Sequence, residues 1–159
     1  MAYEHNPKLL PIENVIPHRP PRLWLSGVQE LQPGVSVAGF WIPADEQFEG
    51  HFPGEPILQG VQQLEAIAQL GGYAAMYDQP GELGVLFGSA NTKFLGPVFP
   101  GETLDLFVEI AEQRKKSMFE GVGRASVNGI VTCETEISGR IMSKEGYERL
   151  LRSAKNQRS

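Results

Sequence analysis

The sequence is poor in the groups from which metal and redox sites are usually built. It has one cysteine, Cys133, and three histidines scattered along 159 residues. A single cysteine excludes an internal disulfide and fits a reducing cytoplasm. Dispersed histidines with one thiol make no metal-ligand spacing, so neither a metal nor another cofactor is expected. Long apolar runs are missing too. None approaches the length that spans a bilayer, and the first residues lack the basic-then-apolar order of a secretory leader. A cytoplasmic chain without membrane contact is the expectation. Basic residues are the scarcer charge, 14 Lys and Arg against 19 Asp and Glu, for a net charge of −5. Residues 144–159 hold Lys144, Arg149, Arg152, Lys155 and Arg158 against Glu145 and Glu148, a net +3, which leaves about −8 for the rest. An acidic body is a poor electrostatic match for nucleic acid. The basic tail reads as a solvated helix face. No repeat or low-complexity tract is present.

Length suits one domain, residues 1–159, with its core over about 14–142 and a short amphipathic helix over about 144–155. Residues 1–12 read as a loose lead-in, His5 among them, and the proline-rich run Ile16-Pro17-His18-Arg19-Pro20-Pro21 allows little regular structure. His18 is expected to pack or cap locally. Strands are expected from Leu23 to about Glu30, from Val35 to Ile42, from Leu83 to Phe94 with glycine interruptions that suggest a bulge, and from Thr103 to Ala111. In the last of these Leu104, Leu106, Val108 and Ile110 alternate with polar residues. Lys116 to Val127 and Ile130 to Ile141 are two more strands, joined by Asn128-Gly129, a dipeptide that tolerates the positive φ of a tight hairpin. Cys133 shares the apolar face of Val131, Thr135 and Ile137 and reads as a buried core thiol.

One stretch organises the rest. Gly50-His51-Phe52-Pro53-Gly54-Glu55-Pro56 cannot be helix or central strand, and a helix can begin only after Glu55. From about Ile57 to Tyr77 the spacing becomes helical: Val61, Leu64, Ala68 and Ala75 recur, with Ile67, Leu70 and Ala74 widening the stripe. Such a helix is mostly buried, and an antiparallel sheet curved around it supplies the apolar surface it needs. The fold class is therefore α+β. Glu65 falls one turn after Val61 and about one turn before Ala68, on their face. A carboxylate there is costly unless paired or protonated.

His51-Phe52-Pro53-Gly54-x-Pro56, then Gly60-Val61, then Glu65, then Ala68-Gln69 resembles the β-hydroxyacyl-acyl carrier protein dehydratases of fatty acid synthesis, in the branch with a helix glutamate. Residues 16–21, Lys93-Phe94 and Pro97 to Leu104 agree with that family in order, so the similarity runs over roughly residues 14–142. The resemblance implies the hotdog fold and a homodimer, often assembled into a trimer of dimers, with the histidine and the carboxylate of one site drawn from different subunits. It also implies an acyl carrier protein as partner. The sequence departs from the family at Gln59, where proline is usual before the glycine. It departs again at Ser26-Gly27, which replaces an Asp-Arg pair with an expected structural effect, and at Leu95-Gly96, which replaces a commonly basic pair.

Dehydration of a β-hydroxyacyl thioester needs a base for the α-proton, an acid for the leaving hydroxyl and a donor for the thioester oxygen. Histidine suits the first because it titrates near neutral pH. A glutamate held on an apolar face suits the second. The start of a helix offers unpaired amides for the third. His51 is thus expected as base, Glu65 as acid and the Gly60 amide, beside Val61, as oxyanion donor. Gln69 is expected as an orienting amide, and Lys93, Arg114, Lys115 and Lys116 are the basic residues outside the tail that could meet an acidic carrier protein. Two other functions compete: a hotdog thioesterase, in which a helix carboxylate activates water, and a non-catalytic acyl-binding protein. Product analysis separates them, because a thioesterase releases free acid and a dehydratase keeps the thioester.

Overall fold

Turn chemistry sets the frame of the chain. Asn128 and Gly129 take φ of 49° and 81°, so the last two long strands form a tight hairpin, as the dipeptide predicts. The computed structural model describes residues 2–111 and 117–159. Its order is α1 (Ile12–Val15), β1 (Gly27–Gln32), β2 (Ser36–Trp41), a single 3₁₀ turn (Asp45–Phe48), α2 (Gly60–Met76), β3 (Leu83–Phe94), β4 (Leu104–Ile110), β5 (Met118–Val127), β6 (Ile130–Ser143) and α3 (Lys144–Gln157). The six strands form one antiparallel sheet in the order β1-β2-β4-β5-β6-β3. The expected bulge in β3 falls between Phe87 and Ser89.

The long helix lies on one face of this sheet and touches β2, β3, β4, β5 and β6. This is the hotdog arrangement. Helix α2 is 17 residues long and starts at Gly60, three residues later than the apolar spacing suggests, because Pro56 and the extended Gln59 hold the preceding backbone out of the helix. Ala66, Ile67, Leu70, Tyr73 and Met76 pack toward Val28, Val37, Leu104, Leu106, Val108, Phe119, Ala125 and Cys133 as one core. Helix and sheet approach closely. A Cβ on Gly123 of β5 would collide with Ile67 Cγ2, so only glycine lets the helix sit this deep. Two buried amides tie the helix down. Gln63 Oε1 accepts from Thr132 Oγ1 at 2.7 Å, and Gln69 bridges to the segment before β1.

Three expectations need correction. The first twelve residues are not loose. Val28 N–H donates to His5 Nδ1, Asn6 N–H donates to Val28 O, Tyr73 Oη donates to Leu10 O, and Ile12 and Val15 are in the core. The predicted first strand starts at Gly27, not Leu23, since the Trp24 N–H is taken by Gln69 of α2 instead of pairing with β2. The face carrying Val61 and Glu65 is not the buried one. Val61 is 61% exposed, because the sheet takes the neighbouring stripe of Gln63, Ala66, Ile67 and Leu70. The terminal helix exists, capped by Ser143 Oγ, but none of its residues is buried; Leu150 and Leu151 remain exposed and Tyr147 rests near Gly84.

Candidate active site

His51 sits in a tight loop that its own backbone closes. His51 N–H donates to Phe48 O, Ile57 N–H to His51 O at 2.7 Å, and Glu55 N–H to Phe52 O. The next residue in line, Leu58, donates its N–H to Val98 O, which pins the loop to the β3–β4 connection. The imidazole stacks on Phe52 with 4.2 Å between ring centroids. Its Nδ1 lies 3.0 Å from Ile57 O. A carbonyl only accepts, so Nδ1 carries the hydrogen and Nε2 keeps a free lone pair. The geometry presents the ring as a base.

Glu65 sits on the open side of α2, with its side chain 36% exposed. Gln69 Nε2 donates to Glu65 Oε1 at 3.1 Å and to Arg22 O at 2.8 Å, while Gln69 Oε1 accepts from Trp24 N–H at 2.9 Å. The orienting amide expected one turn after Glu65 is therefore in contact with it. A cavity of about 210 Å³ opens at Glu65 and runs between α2 and the sheet, lined by Ala68, Gly72, Met76, Val85, Phe87 and Phe119. The slot is mainly apolar, with His18, Glu65, Gln69 and Ser138 as its polar lining, a make-up suited to an alkyl chain with a polar end.

Gly60 is the first residue of α2, and no side chain caps that helix start. A Cβ on Gly60 would lie 2.7 Å from the Phe94 ring, so the glycine lets Phe94 close over the helix entrance. Gln59, the departure at this point, holds an extended N-cap conformation and makes no capping bond with its side chain. Ser26 Oγ accepts from Ile42 N–H at 2.8 Å, and a Cβ on the adjacent Gly27 would collide with the Phe40 ring; the Ser26-Gly27 departure is thus structural. Leu95 and Gly96 both donate their amides to Thr132 O.

Glu65 and Gln69 share a cavity, and His51 is not among its lining residues. The histidine that does face Glu65 is His18, with Nε2 3.7 Å from Glu65 Oε1. Sequence reasoning assigned His18 to local packing or capping. The only signal that could have found it is its place in a proline-rich run whose geometry no spacing rule gives. Burial holds the His18 imidazole below the usual histidine range; the Glu65 charge opposes that shift and Arg19 adds to it. Among the possible carrier contacts, Lys93 is exposed on β3 opposite Glu134, and Arg114, Lys115 and Lys116 lie outside the described residues. Cys133 is fully buried, and burial pushes its thiol up to about 11, which fits an inert core position. No group of metal-binding side chains occurs among the described residues, nor is any described helix long and apolar enough to cross a membrane.

The sequence model of the ApeI-like family, described as ApeI dehydratase, matches residues 30–130. A 3-hydroxyacyl-[acyl-carrier-protein] dehydratase FabZ of Clostridium acetobutylicum is 40% identical over 131 residues, covering 80% of this chain and 92% of its own length. The protein of the same name in Roseiflexus sp. is 38% identical over 127 residues, covering 77% of this chain and 88% of its own. Among solved structures, the dehydratase heterocomplex ApeI:P from Xenorhabdus doucetiae superposes with a TM-score of 0.72 at 17% identity, over 91% of this chain and 99% of the other. A thioesterase superfamily member from Thermus thermophilus gives 0.67 at 14% identity, over 81% and 96%. At such identities the structural matches speak for the fold alone.

Proposed function

The chain belongs to the 3-hydroxyacyl-acyl carrier protein dehydratase family, and from that premise we propose how His51, Glu65 and the Gly60 amide share the chemistry. The protein is an enzyme of fatty acid biosynthesis that dehydrates 3-hydroxyacyl-acyl carrier protein. In our reading the substrate is the (3R)-hydroxyacyl thioester, the product is the trans-2-enoyl thioester, and no cofactor takes part. His51 Nε2 removes the α-proton. The C–H electron pair becomes the new double bond as the β C–O bond breaks, and the Glu65 carboxyl gives its proton to the leaving oxygen, so that water departs. The Gly60 amide, at the positive end of α2 beside Val61, stabilises negative charge on the thioester oxygen. Gln69 orients the carboxyl, and the apolar cavity takes the acyl chain. Hydration runs through the same groups in reverse.

The observation that carries this reading is the His51 tautomer: Nδ1 is committed to Ile57 O, which leaves Nε2 free to take a proton. Because His51 is not in the lining of the cavity that holds Glu65, our reading takes the two from different subunits of a homodimer. The exposed apolar residues Phe52, Val61, Phe94, Leu95 and Phe99, in the segments around the two half-sites, support such a partner. Lys93, with Arg114, Lys115 and Lys116, is the basic group that receives the acidic carrier protein in the cytoplasm.

Incubation with a 3-hydroxyacyl thioester, followed by enoyl absorbance, tests the assignment. Glu65→Gln keeps a donor of similar shape but has no proton to deliver, so it folds, binds acyl ligand and loses roughly 10²–10⁴-fold in rate. His51→Ala loses at least as much. Near parental turnover by a folded Glu65→Gln protein would sink the acid role. Release of free acid would favour a thioesterase.

A further inference from the structure

His18 has no part in the reaction described above, yet it faces the residue proposed as acid. Its Nε2 is 3.7 Å from Glu65 Oε1, the same oxygen that accepts from Gln69 Nε2 at 3.1 Å. Its Nδ1 is buried and has no hydrogen-bond partner among the described residues. A hydrogen on Nδ1 would therefore be an unpaired buried N–H, a costlier state than a bare lone pair. The neutral ring with its hydrogen on Nε2 avoids that cost and directs the hydrogen toward Glu65. The backbone around His18 is fixed. Arg19 Nη1 donates to His18 O at 2.7 Å and to Ile16 O at 2.9 Å, and Arg19 Nη2 donates to Glu13 O at 2.8 Å. Ile16 is in the core. A loop held at both ends presents the ring to the carboxyl.

We propose that His18 is a positioning residue that, with Gln69, holds Oε1 of Glu65 from two sides and leaves Oε2 as the atom that carries and delivers the proton. The inference rests on the acid role of Glu65 proposed above. At 3.7 Å the contact is longer than a hydrogen bond; contacts of this kind in a site without substrate tighten when substrate closes it. The titratable and charged groups facing His18 are Glu65 from α2, Arg19 and Glu13 from its own side, and Lys144, Tyr147 and Glu148 of α3 across the adjoining groove. The strand residues of the cavity, Val85, Phe87, Phe119, Ile137, Ser138 and Gly139, carry no charge.

The test uses the full chain and one 3-hydroxyacyl thioester. His18→Ala should lower kcat by about 10-fold with little change in KM, because the carboxyl is still present but no longer aimed. The alkaline limb of the pH–rate profile should be displaced, because the unit that delivers the proton has lost a member. His18→Gln places an amide N–H near the Nε2 position and should restore both kcat and the limb. In a Glu65→Gln background His18→Ala should cost nothing further, because the two act as one unit.

A fully folded His18→Ala protein with parental kcat and profile overturns the proposal. So does an equal loss in both backgrounds, or a loss that His18→Gln leaves in place alongside a lowered melting temperature, which marks a structural role. Should His18→Ala fail to fold, His18→Gln still decides: the parental limb supports the proposal, and a displaced limb overturns it. Activity in Glu65→Gln itself shows that the acid assignment has failed and overturns the proposal with it, whereas an inactive Glu65→Gln beside a parental His18→Ala overturns the proposal alone.

Discussion

At the residue scale, the same side-chain types end in opposite chemical states because of what surrounds them. His51 is fixed by a backbone carbonyl at Nδ1 and is left with a basic Nε2. His18 has an Nδ1 unpartnered among the described residues and faces a carboxylate with Nε2. His5 accepts an amide from β1 and serves only the fold. Cys133 illustrates the cost of burial without a partner. Its thiol is raised from 9.0 to about 11, chiefly by desolvation and secondarily by Glu134. The folded value lies above the unfolded one, so the thiol's contribution is intact below pH 9.0 and is lost as pH rises through about 11. In that window the unfolded chain releases a proton that the folded chain keeps. Denaturant titrations should therefore show an alkaline loss of stability that is smaller in Cys133→Ala by up to ~2–3 kcal/mol. The folded protein should also leave thiol reagents unreacted at neutral pH. An identical alkaline fall in both proteins would mean that other groups cause it.

At the element scale, α2 is defined by what lies at its two sides. The sheet side is packed so closely that β5 must present Gly123 beneath Ile67. The other side carries Val61, Glu65 and Ala68 and stays partly open. Gly123→Ala drives a methyl into Ile67 Cγ2, and the atoms in question belong to a β-branched chain in the core. The helix or the strand must shift, which should cost about 1–3 kcal/mol in a urea titration. Adding Ile67→Ala should recover part of that loss, because the truncated side chain vacates the contact. If the double variant is as unstable as the sum of the two single ones, the contact is not the cause. A displacement of α2 also moves Glu65, so the single variant should lose activity out of proportion to its lost stability.

For the whole molecule, His51 lies outside the cavity that Glu65 and Gln69 line. Among the described residues the outer edge of β3 is unpaired, and Phe87 and Phe94 on that strand are about half exposed. An open strand edge with apolar side chains is a surface that a second copy can cover. If the dimer supplies His51 from one subunit and Glu65 from the other, a mixed dimer of His51→Ala and Glu65→Gln chains contains one site with neither change and one with both. Co-refolding equal amounts of the two inactive proteins should recover about a quarter of parental activity, since about half of randomly formed dimers are mixed and each of these has one intact site. Mixed dimers that are isolated and remain inactive would place the histidine and the carboxylate in the same subunit.

The sequence alone determined the elements whose cause is local. Alternation marks β4, Asn128-Gly129 marks the β5–β6 hairpin, and helical spacing after Pro56 marks α2, all close to their observed limits. The motif around His51, Gly60 and Glu65 also named the reaction class, because that chemistry depends on residue type and order. Only the tertiary structure decided which face of α2 the sheet would take. Two adjacent stripes of the helix are both apolar, and the close approach of Gly123 to Ile67 selects one and leaves Glu65 on the other. Only the fold brought residues 5–24 into contact with β1 and α2, through bonds such as Tyr73 to Leu10 and Gln69 to Trp24 that span more than forty residues of sequence. His18 reaches Glu65 by that route. Periodicity reports which residues share an element; it carries no information on how a proline-rich segment folds back across one, since that is set by packing and hydrogen bonds between residues distant in the chain.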